Sequence, residues 1–227
     1  MRIGGIEKCT FIDYPGFISA VLFTVGCNFR CPYCHNPELV EETVEEITID
    51  NIWSFLKSRQ GILDGVTITG GEPTLHDDLP CFIKKIKDLG FLVKLDTNGT
   101  NPDMLHELYM ASLLDYVAMD IKAPFSTYEQ TVSRPIDVSK LISSVNYIMN
   151  SGISYEFRTT AIKSLLSIDD FHEIGNSIKG ASVYYLQKFI PTKLLNPAFR
   201  RKTVFTEDEF NVIQKIMMEY VDTCYIR

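Results

Sequence analysis

From about residue 18 onward, short apolar runs of strand length alternate with longer segments of helical period, and this alternation limits the possible folds more than any other feature. The strand-like runs are Ile18–Val25, Gly65–Thr69, Phe91–Asp96, Tyr116–Lys122, Tyr155–Thr160 and Val183–Phe189. Strand, helix, strand in strict succession gives βαβ units, a parallel sheet and right-handed crossovers. Two architectures satisfy this, a doubly wound sheet and a barrel. Six units fall short of a closed eight-unit barrel. The expected class is therefore α/β, a partial (β/α)6 TIM-like barrel with outer helices and one open side. The active site is then expected at the C-terminal ends of the strands.

The intervening segments carry the helical signal. Ile52, Phe55 and Leu56 share one face, and Leu79, Phe82, Ile83, Ile86 and Leu89 share a second that stops at Gly90. Val138, Leu141, Ile142, Val145, Ile148 and Met149 form a third, stopped at Gly152. Pro102–Ala111 reads as a further helix. Ser167 with Asp170 and Thr206 with Glu209 have capping-box spacing, the latter opening a helix expected to run through Tyr220. No repeat, low-complexity tract or linker interrupts the pattern, so one domain over residues 1–227 is expected.

The polar motifs fall where the strands end. Cys27, Cys31 and Cys34 follow the first run, and Gly70-Gly71-Glu72-Pro73 follows the second. Asp96-Thr97-Asn98-Gly99 ends the third, Asp120 and Lys122 end the fourth, and Arg158 and Gln187 lie on the fifth and sixth. Signals of different kinds thus converge on one rim.

Composition removes several function classes. With 22 Lys and Arg against 29 Asp and Glu the net charge is -7, which disfavours a broad nucleic-acid-binding face. No apolar run is long enough to span a membrane, and Met1–Gly16 is too polar for a secretory signal, so a cytoplasmic protein is expected. Six cysteines in that compartment do not suggest a disulfide framework. Cys9, Cys81 and Cys224 stand far apart and read as small buried hydrophobes.

Three cysteines between positions 27 and 34 need a shared partner. A zinc ion would want a fourth ligand, from His35 or a distant cysteine. Yet Cys34 and His35 are adjacent, and no second ligand pair matches the first. A 4Fe-4S cube fits better, because three thiolates hold three iron corners and leave the fourth open for an outside ligand. A pure electron carrier would usually add a fourth cysteine.

The stretch Cys27-Asn28-Phe29-Arg30-Cys31-Pro32-Tyr33-Cys34 resembles the signature of the radical S-adenosylmethionine (SAM) superfamily. With His35-Asn36-Pro37, Thr69-Gly70-Gly71-Glu72-Pro73 and Asp96-Thr97-Asn98-Gly99 it resembles the glycyl-radical-enzyme activases of that superfamily. The opening Gly4–Val40 is most similar to the anaerobic ribonucleoside-triphosphate reductase activating proteins, and weaker similarity reaches Leu186–Pro197. The resemblance implies a 4Fe-4S cluster on Cys27, Cys31 and Cys34 whose open iron takes the amino and carboxylate groups of SAM. It implies reductive cleavage of SAM to a 5'-deoxyadenosyl radical, which takes a hydrogen atom from a glycine of a partner enzyme. A flavodoxin or ferredoxin is implied as reductant.

Residue roles follow from the same resemblance, and each has a plainer reading. Gly70, Gly71 and Glu72 are implied to face the SAM amine, although Gly-Gly-Glu-Pro alone is most often a turn. Asp96 and Asn98 share a strand face and suit ribose hydroxyls or a cation, or else form an Asn-Gly turn. A monovalent cation near Asp96, Thr97 and Asp120, and a charge balance between Lys122 and the SAM carboxylate, are further implications. Arg158 is placed to clamp a carboxylate or to pair with an acid. Tyr33, His35 and Asn36 complete the expected cofactor contacts, His35 either tuning the cluster or simply packing.

Three functions remain open at this point. The first is an activase for anaerobic ribonucleotide reductase or, alternatively, pyruvate formate-lyase. Cys9, Cys81 and Cys224 are too few to build the ferredoxin-like insert of some other activases. The second is a radical SAM enzyme acting on a small heterocycle, like the deazaguanine synthase. The third is a non-enzymatic iron-sulfur or zinc protein.

Overall fold

Eight strands follow one another in chain order across one sheet, in a computed structural model that describes residues 1–227. They are β1 Ile3–Thr10, β2 Ser19–Thr24, β3 Gly65–Gly70, β4 Leu92–Thr97, β5 Tyr116–Asp120, β6 Ser154–Ala161, β7 Val183–Lys188 and β8 Thr223–Ile226. Strands β2 to β8 pair in parallel, while β1 runs antiparallel to β2. β1 and β8 each have a single strand neighbour, so the barrel stays open between them.

The helices are α1 Pro37–Val40, α2 Ile49–Ser58, α3 Leu79–Asp88, α4 Pro102–Met110, α5 Tyr128–Val132, α6 Val138–Asn150, α7 Asp170–Ser177 and α8 Glu207–Met217. Six strand-helix units from β2 to α8 are those expected. The sequence reading missed β1 and β8. β1 (IGGIEKCT) has two glycines and three consecutive exposed residues, and β8 is four residues long, so neither carries a buried apolar run.

Helix boundaries follow local chemistry. Gly90 and Gly152 have φ of +91° and +74°, the left-handed geometry that ends α3 and α6. Thr206 and Glu209 form a reciprocal capping box on α8, which ends at Met217 rather than Tyr220. Ser167 and Asp170 exchange the same kind of bonds just before α7.

Alternation along the strands divides the sheet into two faces. Leu22, Ile68 and Leu95 lie in register and are fully buried, as are Ile52, Leu56, Ile83 and Ile86 on the helices. Each such side chain removed from water contributes roughly 1.5–3 kcal/mol. The other face carries Lys94, Asp96, Asp120, Glu156, Arg158 and Thr160, with Asp120 paired to Arg158 and Thr160 to Gln187 in register. Apolar packing under the helices therefore fixes the position of a charged inner wall. Of the three scattered cysteines, only Cys224 is buried; Cys9 lies on the exposed part of β1, and Cys81 points away from the buried face of α3. No helix is long and apolar enough to cross a membrane.

Candidate active site

A cavity of about 400 Å³ opens at the C-terminal ends of β2 to β7, within the size range of small-ligand sites. It is lined by Cys27, Cys31, Cys34, Tyr33, His35, Asn36, Gly70, Gly71, Glu72, Asp96, Asn98, Asp120, Lys122 and Arg158. Every residue expected at the site therefore faces one space. Asp13, Thr69, Thr97, Thr160 and Gln187 also line it.

The cysteine loop is fixed by backbone contacts. Gly26, at φ +92°, turns the chain out of β2. Its carbonyl accepts the Glu72 N–H at 2.8 Å, and its N–H donates to the Leu39 carbonyl. A Cβ on Gly71 would lie 1.8 Å from the Gly26 oxygen, and one on Gly70 would lie 2.3 Å from the Thr24 nitrogen. The two glycines thus serve a backbone-to-backbone approach. On the far side, Leu195 and Asn196 donate their N–H groups to the carbonyls of Cys34 and Pro32, both at 2.9 Å.

Within that loop the three thiols face the cavity. Burial pushes Cys27 up to about 12 and Cys31 up to about 11, and raises Cys34 as well. They are kept as thiols until metal binding displaces the protons. No three His, Cys, Asp or Glu side chains form a group able to hold a single metal ion. Three cysteine sulfurs on one cavity wall, with the His35 ring engaged by the Ile190 carbonyl, suit a 4Fe-4S cluster with an open corner better than a four-ligand zinc site. Arg30 donates to the carbonyls of Cys27 and Phe29, which stiffens the loop.

The opposite wall is an ion-pair network. Arg158 Nε lies 2.6 Å from Asp120, and its Nη1 lies 3.0 Å from Asp96. Lys122 Nζ is 3.1 Å from Asp120, and Lys94 pairs with Asp96 from the floor of the barrel. Burial alone would raise both carboxyls, but Arg158, with Lys94 or Lys122, holds each below the ordinary 3.8. Arg158 bridges Asp96 and Asp120 where the sequence reading places a monovalent cation, so the protein itself supplies that charge. Glu156, on the same face, lies 3.9 Å from Arg158 Nη1, so three carboxylates meet these three cations, and Lys122, whose one carboxylate partner is Asp120, is the cation placed to receive an anionic group.

Glu72 lines the cavity and is also held by the chain itself. Only 1% of it is exposed. Its Oε1 accepts from Thr74 N (3.1 Å), Thr74 Oγ1 (2.6 Å) and Thr97 Oγ1 (2.8 Å), and its Oε2 accepts from Asn98 N at 2.6 Å. It is first a strut between the ends of β3 and β4, and only Oε2 keeps room for another donor. Burial still holds its carboxyl above the ordinary 4.5.

His35 lines the cavity and is also held by the chain. Its Nε2 donates to the Ile190 carbonyl at 2.9 Å, and its ring stacks on Phe189 with an interplanar angle of 2°. Sequence reasoning missed Asn28, which accepts from the Asn98 amide and donates to Thr100, tying the cysteine loop to the end of β4. It also missed Tyr128, whose hydroxyl donates to the Asp120 carbonyl and accepts the Lys122 N–H. Neither position carries a motif beyond its place near the cysteines or Lys122.

A family model described as the radical SAM superfamily matches residues 21–174. A Methanocaldococcus jannaschii protein provisionally named a glycyl-radical enzyme activating enzyme is 34% identical over 99% of this chain and 95% of its own length. The pyruvate formate-lyase-activating enzyme of Staphylococcus aureus (strain USA300) is 33% identical over 53% of each chain. Among solved structures, Streptococcus suis SuiB bound to S-adenosylmethionine has a TM-score of 0.69 at 12% identity, covering 91% of this chain and 49% of that one. At that identity the last shows a shared fold.

Proposed function

As a member of the radical SAM superfamily and of its glycyl-radical-enzyme activases, the chain is an enzyme that uses a 4Fe-4S cluster and SAM, and we propose that its partner is anaerobic ribonucleotide reductase. The observation that carries this choice is the stretch Gly4–Val40, which resembles the reductase activating proteins and folds as β1, β2 and the cysteine loop around the cavity. With cluster and SAM bound, the two cofactors would supply the radical chemistry for removing a hydrogen atom from a glycine of the partner.

This chain's residues do the positioning. Cys27, Cys31 and Cys34 hold three corners of the cluster. Gly70 and Gly71 bring backbone to the cavity wall, and Glu72 Oε2 is the acceptor available to the SAM ammonium. Lys122 and Arg158 face the SAM carboxylate, with Asp96 and Asp120 holding both cations in place. Asn98, Tyr33, Asn36 and His35 complete the wall. The open side between β1 and β8 gives a polypeptide loop its way in. A flavodoxin or ferredoxin serves as reductant, in anoxic cytoplasm.

A pyruvate formate-lyase partner is the second reading, favoured by the S. aureus relative over half the chain. Anaerobic reconstitution followed by electron paramagnetic resonance decides. A glycine-centred signal on anaerobic ribonucleotide reductase, and none on pyruvate formate-lyase, is expected. The reverse pattern overturns the assignment, and turnover of a small heterocycle without any partner protein overturns the activase reading.

A further inference from the structure

The chain has a net charge of -7, yet Arg200, Arg201 and Lys202 stand together, exposed, at the end of a short 3-10 turn, Pro197–Arg201. None of the three pairs with a carboxylate, although most exposed cations near them do: Lys193 with Glu38 and Lys188 with Glu207. Arg200 is spent only on the Thr192 carbonyl at 3.1 Å, Lys202 lies over the Phe199 ring, and Arg201 makes no side-chain hydrogen bond. Three adjacent unneutralised cations repel one another, and an acidic partner surface removes that cost.

The patch also has a direct structural relation to the cysteine loop. The residue before the turn, Asn196, donates its N–H to the Pro32 carbonyl, and Leu195 donates to the Cys34 carbonyl. Ile190, 63% exposed, holds the His35 ring through its carbonyl. No residue from 190 to 204 lines the central cavity. A bound protein here lies against the outer side of the cysteine loop and leaves the cavity free. A glycine-bearing substrate needs the cavity itself, whereas an electron donor needs only proximity to the cysteines.

We infer that Arg200, Arg201 and Lys202, with exposed Ile190 beside them, form the docking surface for an acidic flavoprotein electron donor of the flavodoxin kind. The cations meet its carboxylates, and Ile190 meets the apolar edge of its flavin. The anionic flavin hydroquinone gives up one electron to the oxidised cluster and becomes the neutral semiquinone, with no proton transferred. This inference rests on the three cysteines holding that cluster.

The test uses the reconstituted holoprotein, a purified acidic flavodoxin and calorimetric binding at low and high salt. Combined Arg200→Glu, Arg201→Glu and Lys202→Glu is expected to weaken the dissociation constant at least about tenfold and to remove its salt dependence. Arg201→Glu alone, which breaks no internal bond, is expected to weaken it several-fold and guards against a folding defect. Dithionite-driven SAM cleavage is expected to stay unchanged, while flavodoxin-driven cleavage falls. Unchanged flavodoxin affinity in a cluster-loaded variant overturns the inference, as does a loss confined to ferredoxin binding or to partner-enzyme binding. Failure of the underlying cluster reading shows differently, as wild-type protein that takes up no iron and sulfide.

Discussion

Arg158 stands on β6 with its Nε 2.6 Å from the Asp120 carboxylate, directly across the β5–β6 register. Its Nη1 reaches Asp96 as well, so one guanidinium joins two carboxylates that would otherwise repel inside the barrel. Replacing it by Leu leaves Asp96 with Lys94 and Asp120 with Lys122 alone. We expect a loss of about 3 kcal/mol or more of folding stability, in the range for removing one partner of a buried pair. Urea unfolding of Arg158→Leu and Arg158→Lys checks this. Lys should recover only part of the loss, because a point charge cannot bridge both carboxylates in the guanidinium's geometry.

The same network sets an acid limit. Asp96 and Asp120 both titrate below the ordinary 3.8 in the folded chain. As the pH falls, the unfolded chain takes up these protons first, which favours unfolding. The stabilisation is therefore complete above the ordinary value and disappears as the pH drops through the lower folded values. Urea midpoints measured between neutral pH and the acid range should fall more steeply for wild type than for Asp120→Asn. Parallel curves would show that Asp120 is not held ionised by its neighbours.

How much of this was readable beforehand depended on the kind of signal. The six strand-helix units and the rim of polar motifs could be read because buried strands and amphipathic helices impose periodicity on the chain, and because Gly90 and Gly152 punctuate it. The cysteines, Gly70 to Glu72, Asp96, Asp120, Lys122 and Arg158 all reached the cavity. Partner choice was not readable. Nothing local says that Arg158 lies between two aspartates, that Lys94 pairs under them, or that Glu72 accepts from Thr74, Thr97 and Asn98. Those facts depend on strand register, which sequence alone leaves open.

Cys31 is the buried member of the three cysteines proposed as cluster ligands, 7% exposed at the cavity wall. Changing it to Ala removes one iron corner and leaves two thiolates. Iron and sulfide content and cluster absorbance should fall to near the background of unreconstituted protein, and SAM cleavage should vanish with them. Retained cleavage with an intact cluster would remove Cys31 from the ligand set.

Gly71 tests whether the glycine pair acts through the cysteine loop. Its added Cβ meets the Gly26 oxygen at 1.8 Å and the Gly26 carbon at 2.6 Å, both backbone atoms with no flexible end to yield. Gly71→Ala should cost roughly 2–3 kcal/mol as overpacking and displace the residue immediately before Cys27. Gly61→Ala is the control, since φ +73° strains it while nothing lies within 4 Å. Equal iron uptake by both variants would show that the loop does not depend on the close approach.

Glu72 separates a strut from a cofactor contact. Glu72→Ala strips acceptors from the Thr74 N–H, the Thr97 hydroxyl and the Asn98 N–H, each buried group costing about 1–3 kcal/mol when left unpaired. Glu72→Gln keeps an amide oxygen for the threonines but turns an NH2 group toward the Asn98 N–H, so it should recover part of the stability while losing the anionic Oε2. If Oε2 also receives the SAM ammonium, calorimetry on cluster-loaded protein well below the unfolding temperature should show weaker SAM binding in Gln as well as in Ala. If SAM affinity in Gln matches wild type while its unfolding midpoint drops, Glu72 acts only as the strut between β3 and β4, and the ammonium is held by other groups on the wall.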